Sequence, residues 1–251
     1  MSEVVEIKNL LGKTLVGDFY CTSDKNKNKV VVLVHGFMSE RKRKGKFVEL
    51  ANLLVEKNIN VFSFDLSGSG DSDSEQISIS SGIMDVRCIL SYVRYQGYQN
   101  IGVCGHSLGG VITLNQSLEK LKSICLLAPV TDKISYLFED RFGKEKVDEM
   151  HRNGFMRVTD KNDRVYDISE KMEVERHNVD QKEIMENVNI SCYLIHGTKD
   201  KVIPFKHSEN AFNLLKVENK KIDIIEGENH SLGLNLERTN KLVVNWFVDT
   251  L

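Results

Sequence analysis

Five short runs are apolar almost from end to end: KVVVLVHG (29–36), INVFSFD (59–65), NIGVCG (100–105), SICLLAPV (123–130) and ISCYLIHG (190–197). A strand that alternates apolar with polar residues buries one face, whereas a continuously apolar strand must be covered on both. Between these runs lie stretches with helical spacing near 44–57, 81–97 and 107–120, followed later by 206–217 and 235–250. In the second, Ile83, Val86, Leu90 and Val93 recur every three or four residues, and Gly97 stands where a C-terminal cap belongs. Strand and helix in alternation give an α/β chain with a mostly parallel sheet and helices on both faces. VVEIKN (4–9) and TLVGDFYCT (14–22) precede this pattern with no helix between them, so an antiparallel hairpin is expected at the sheet edge.

The 251 residues, 41% hydrophobic and 28% charged, suit one large domain with a substantial core. A net charge of −2 supplies no global field that would recruit nucleic acid or an anionic membrane surface. No run of 18 apolar residues occurs, and the amino terminus lacks a basic segment followed by an apolar core; no stable membrane insertion and no secretory signal are expected. Cys21, Cys88, Cys104, Cys125 and Cys192 are an odd set without CxxC spacing, which fits a reducing cytoplasm and argues against a zinc site. Residues 23–29 read as a solvated loop. Residues 131–187 break the rhythm: they are rich in charge yet carry Phe138, Phe142, Phe155 and Tyr166, and GFMRVTDKNDRVYDI reads as two strands around a polar turn. The expected division is a core of 1–130 and 188–251 with 131–187 inserted as a cap over the carboxyl ends of the strands, where open α/β sheets bind ligands.

Directly after the third apolar run comes GHSLGG (105–110). A serine between glycines, where a strand turns sharply into a helix, has its hydroxyl lifted above the sheet beside free helix N–H groups, and bulky neighbours would clash there. A serine hydroxyl needs a base, and the base an orienting acid. Both types occur downstream, each after an expected strand: Asp200 in YLIHGTKDKVIP and His230 in IDIIEGENHSLG. Asp132, after SICLLAPV, is a fallback acid. SGSGDS (67–72) is no dinucleotide loop, because Asp73 stands at the third glycine position and no helix follows at once. No phosphate-loop motif occurs, His151, His177 and His207 lack paired ligand spacing, and neither metal nor cofactor is expected. Local hydrogen bonding is the expected role of His35, His106 and His196. The basic run RKRKG (41–45) reads as a solvated face.

HGF (35–37), DLSGSGDS (65–72), GHSLGG, HGTKDKVIP (196–204) and GENH (227–230) stand in the order found in the α/β-hydrolase family, which this sequence resembles over nearly its whole length outside 131–187. Its size and insertion are most similar to small serine esterases and lipases of the feruloyl-esterase and monoacylglycerol-lipase type. The resemblance implies Ser107 as nucleophile, His230 as base then acid, Asp200 as orienting carboxylate, and an oxyanion hole from the backbone N–H groups of Phe37 and Leu108. The oxyanion loop departs from the lipase form, reading HGFM in place of HGGG. The implied activity is hydrolysis of small-molecule carboxylic esters through an acyl-enzyme. A thioesterase or amidase using the same residues, or a ligand-binding protein without turnover, are the alternatives. Phe155, Met156 and Tyr166 of the insertion are the expected substrate-binding residues.

Overall fold

The structure, a computed structural model, describes every residue except Met1, 24–27 and Ser135. Most of the loop expected at 23–29 thus lies outside the described residues. An eight-stranded sheet runs through the chain in the order β1 (Ser2–Lys8), β2 (Thr14–Tyr20), β4 (Asn60–Phe64), β3 (Lys29–Val34), β6 (Asn100–His106), β7 (Ser123–Leu127), β10 (Ser191–Gly197) and β11 (Lys220–Ile225). From β4 to β11 all neighbours are parallel, while β1 pairs antiparallel with β2 and β2 with β4. The five apolar runs are therefore the five contiguous central strands, and the early hairpin sits at the edge. Val30 to Val34 have no exposed surface at all, as strands covered on both faces require.

One face is covered by α2 (Ile79–Tyr95), α3 (Leu108–Leu114) and α8 (Lys206–Leu214), the other by α1 (Lys46–Val55) and α9 (Leu236–Thr250). Ser78 opens α2 with a reciprocal cap, its hydroxyl accepting from the Ser81 amide at 3.0 Å. The helix expected over 107–120 stops at Leu114 and resumes only as a short 3-10 turn, Leu118–Lys120. Asn115 and Gln116 end it by turning their side-chain amides back onto the carbonyls of Val111 and Ile112, at 2.8 and 3.0 Å.

Residues 131–187 hold α4 (Phe138–Phe142), α5 (Lys144–Asn153), a hairpin of β8 (Phe155–Thr159) and β9 (Val165–Ser169), α6 (Glu170–His177) and α7 (Gln181–Glu186). The hairpin expected from sequence is present. The two-residue strand β5 (Gln76–Ile77) adds to it in parallel, Ile77 opposite Ile168, which ties the insertion to the loop after β4.

Candidate active site

Ser107 links β6 to α3 at φ 56°, a left-handed conformation that costs a non-glycine residue. The turn is tight enough to dictate its neighbours. A Cβ on Gly105 would lie 2.4 Å from the Gly109 carbonyl oxygen, and one on Gly109 would lie 2.3 Å from that of Val34. Only glycine fits at either place. The Ser107 amide donates to the Leu127 carbonyl at 2.9 Å, anchoring the turn to β7.

The loops after β10 and β11 bring two further side chains to this point. His230 Nε2 stands 2.9 Å from Ser107 Oγ, and its Nδ1 stands 2.7 Å from Asp200 Oδ2. With Nδ1–H donating to the carboxylate, Nε2 is the free lone pair that accepts the serine proton. Asp200 is fully buried as a side chain. Burial alone would raise its pKa, but the hydrogen bonds from His196 and His230 and the Ile203 amide outweigh that and hold the carboxyl well below its ordinary value. The other oxygen, Oδ1, accepts from the amides of Val202 and Ile203 at 2.8 and 2.9 Å. Asp132 instead accepts from its neighbour Lys133; of the two carboxylates weighed from sequence, it is Asp200 that reaches His230.

The other histidines divide by environment. His196 is buried, and its Nε2 donates to Asp200 Oδ2 and the Ile203 carbonyl, both at 3.0 Å, while Nδ1 accepts from Ser208 Oγ at 2.7 Å. It is engaged locally, but one of its partners is the carboxylate that holds His230, a role its place at a strand end did not disclose. His106 Nε2 donates to the His230 carbonyl at 2.9 Å; burial and the neighbouring His230 ring push its pKa down to about 3, so it is neutral and braces the His230 loop. His35 donates from Nδ1 to the Gly36 carbonyl and accepts the Leu66 amide at Nε2, at 2.8 and 3.0 Å.

Gly36 lies against the serine: a Cβ there would meet Ser107 Cβ and His106 Nδ1 at 3.1 Å each. This brings the Gly36–Phe37 backbone beside Ser107. The amide of Leu108, first residue of α3, has no acceptor within its own helix.

Two cavities meet at Ser107 and His230. One of about 210 Å³ lies beneath the loop after β3, bounded by Met38, Lys46, Leu50 and Leu232. The other, of about 420 Å³, lies beneath the insertion, bounded by Leu108, Ile134, Tyr136, Phe138, Met172 and Arg176. Phe155, Met156 and Tyr166 border neither cavity. Met156 and Tyr166 are packed into the apolar core, 0% and 2% exposed, so the expectation that these three bind substrate is corrected: the side chains of 131–187 that border the cavity come from the segments on either side of the hairpin. The reason is the pleat: alternate residues of β8 and β9 pack inward and leave nothing to face the serine.

The basic run is also not one solvated face. Arg41 is 3% exposed and its guanidinium bridges Asp18 and Asp71 at 2.8 Å each as well as Asp65. It clamps the loop after β3 to the loop after β4. Among the described residues no group of three or more His, Cys, Asp or Glu side chains is placed to hold a metal ion, and no helix is long and apolar enough to cross a membrane.

A mostly parallel sheet with a strained serine on the turn into a helix, and a histidine and an aspartate from the last two strand ends, defines the α/β-hydrolase fold. The family model described as serine aminopeptidase, S33 matches residues 25–181, and the chain belongs to that family. A Mycoplasma genitalium protein named as an esterase/lipase is 27% identical over 123 residues, which is 47% of this chain and 44% of that protein; the match spans less than half of the relative's length. Among solved structures, Paleococcus ferrophilus monoacylglycerol lipase superposes with a TM-score of 0.77 at 19% identity, over 94% of this chain and 99% of that one. Est1E from Butyrivibrio proteoclasticus, with ferulic acid bound, gives 0.79 at 16% identity over 98% of both chains. The α/β hydrolase GrgF from Penicillium gives 0.81 at 16% identity over 100% and 99%. At such identities the structures establish a common fold.

Proposed function

We propose that this hydrolase cleaves carboxylic esters of small molecules through an acyl-enzyme, with Ser107 as nucleophile, His230 as general base and then general acid, and Asp200 as the orienting carboxylate. The observation that carries the reading is the unbroken line of hydrogen bonds from Ser107 Oγ through His230 to Asp200, at 2.9 and 2.7 Å. As Oγ attacks the ester carbonyl its proton passes to His230 Nε2, and the imidazolium that forms is stabilised by Asp200. The carbonyl oxygen becomes an oxyanion held by the N–H groups of Phe37 and Leu108, which cost no reorganisation at that moment. His230 returns the proton to the departing alkoxide. Water then attacks the acyl-enzyme with His230 again as base, releasing the acid and restoring Ser107.

Residues 131–187 act in this reading as a cap whose apolar side chains exclude water from the bound ester, with 1–130 and 188–251 as the core. No disulfide joins the five cysteines, which supports a reducing, cytoplasmic setting. The family's description as an aminopeptidase supplies a second reading, amide cleavage by the same residues. Competition between 4-nitrophenyl esters of graded acyl length and aminoacyl 4-nitroanilides separates the two. A fluorophosphonate probe tests the nucleophile: it should label the wild-type protein and not Ser107→Ala, whose kcat should fall by roughly 10⁴ to 10⁶ with the fold intact. Equal labelling of both proteins, or retained turnover in Ser107→Ala, would discard the mechanism.

A further inference from the structure

Arg176, near the end of α6, is 2% exposed, and all three of its side-chain nitrogens are buried without a hydrogen-bond partner among the described residues. Its guanidinium lies 4.4 Å from the centre of the Tyr136 ring and 4.3 Å from that of Phe138. Ring faces attract the cation, but they leave unused the five N–H donors that radiate in the guanidinium plane. Two carboxylates of its own helix are engaged elsewhere: Glu175 accepts the Ile79 and Ser80 amides at the start of α2, at 2.6 and 3.3 Å, and Glu173 pairs with His151 at 2.9 Å, so that Glu173 and the Tyr136 hydroxyl give the cation only partial support. Burial pulls the Arg176 pKa down, yet a guanidinium stays protonated in any protein setting. An unpaired buried cation is costly to the folded state and is retained where it meets a counter-charge.

The larger cavity beside Ser107 is bounded by this residue. It also carries Arg141 and Lys201, against one carboxylate, Asp140, which is turned back to the Leu137 amide at 3.1 Å. Apart from Ser107, His230 and the Tyr136 hydroxyl, its remaining walls are apolar. An apolar chamber with an internal cation and a basic rim selects a substrate that is greasy in its middle and anionic at one end.

We propose that the ester this site takes carries a carboxylate, bound by Arg176 in the cavity beneath the insertion while the ester carbonyl lies at Ser107. The inference rests on the esterase reading above. Tyr136 and Phe138 cover the guanidinium faces, and the half-buried Tyr136 ring is the one that turns aside for the in-plane N–H groups to close bidentately on the carboxylate. Arg141 and Lys201 at the rim draw the anion inward.

Matched pairs of probes test this. 4-Nitrophenyl hemiglutarate and 4-nitrophenyl valerate differ by a carboxylate on the acyl side; 4-acetoxybenzoate and its methyl ester differ by one on the alcohol side. In at least one pair, kcat/KM of the wild-type enzyme for the anionic member should exceed that for the neutral member tenfold or more. Arg176→Met should lower the anionic value by roughly 30- to 1,000-fold, mostly through KM, and leave the neutral one within about threefold; Arg176→Lys should fall between. Equal or faster cleavage of the neutral member in both pairs would overturn the proposal, as would an equal loss on both members in Arg176→Met. Should Arg176→Met not fold, the wild-type ratios decide alone. Calorimetric titration with glutarate and benzoate reads the anion site without turnover. Anion binding that depends on Arg176 in a protein that cleaves no ester would sink the esterase reading and keep the anion site. Cleavage of neutral esters with no anion binding would do the reverse.

Discussion

Asp200 is the residue on which most of the site's geometry converges. Each carboxylate oxygen is committed: Oδ2 to His230 and His196, Oδ1 to two backbone amides. A carboxylate with that many donors cannot turn, so the imidazole it holds cannot turn either. Asp200→Asn keeps the size but offers an NH₂ where His230 needs an acceptor, and kcat should drop by about 10³ to 10⁴ with little change in KM. His196→Ala should act through Asp200 without touching substrate. It removes one donor to the carboxylate and strands the buried Ser208 hydroxyl, so kcat should fall about tenfold and stability by about 1–3 kcal/mol. Steady-state kinetics alongside urea denaturation check both; a full-rate Asp200→Asn enzyme would remove Asp200 from the mechanism.

At the scale of elements, what could be read from sequence tracks how many faces an element buries. The five central strands announce themselves because both faces are covered, and the hairpin of β8 and β9 because its runs flank a polar turn. The helices of 131–187 escaped notice because they are short and mostly charged, with Met172 and Arg176 as the buried residues of α6, four apart. That spacing was the available signal for Arg176, and it is faint beside the charges around it. Ser107, Asp200 and His230 were legible because motif and strand end coincide for each. Arg41 was not, since nothing in a basic run marks which member turns inward. The wrong expectation for Met156 becomes a test. It is fully buried in the apolar core, so Met156→Ala should cost about 2–5 kcal/mol in stability and leave acyl-length preference unchanged. Met172→Ala, by contrast, widens the larger cavity and should shift preference toward longer acyl chains, as measured by kcat/KM across a series of 4-nitrophenyl esters. If Met156→Ala altered the preference and Met172→Ala did not, the hairpin would be the specificity element after all.

For the whole molecule, the groups buried to build the site make folding sensitive to acid. Burial and the neighbouring His230 ring push the His106 pKa down to about 3 in the folded protein against 6.5 in the unfolded chain, and burial lowers His35 and His207 as well. Between those values the unfolded chain binds protons that the folded protein does not, so stability rises with pH through this window and levels off above it. Asp200, held low, adds to the loss once pH falls through the ordinary carboxylate range, while Asp85, raised by burial, opposes the histidines just above that range, where the folded protein binds its proton before the unfolded chain does. Each proton taken up only on unfolding contributes a slope of up to about 1.4 kcal/mol per pH unit. Urea midpoints should therefore climb from pH 4.5 to 6.5 and stay nearly flat from there to pH 7.5. His106→Gln isolates one of these shares, because glutamine can still donate to the His230 carbonyl but cannot titrate. In that variant the slope between pH 4.5 and 6.5 should fall by up to one proton, with the plateau near neutral pH shifted far less. An unchanged slope would mean that His106 is already protonated in the folded protein, and its bond to the His230 loop would then be that of a cation.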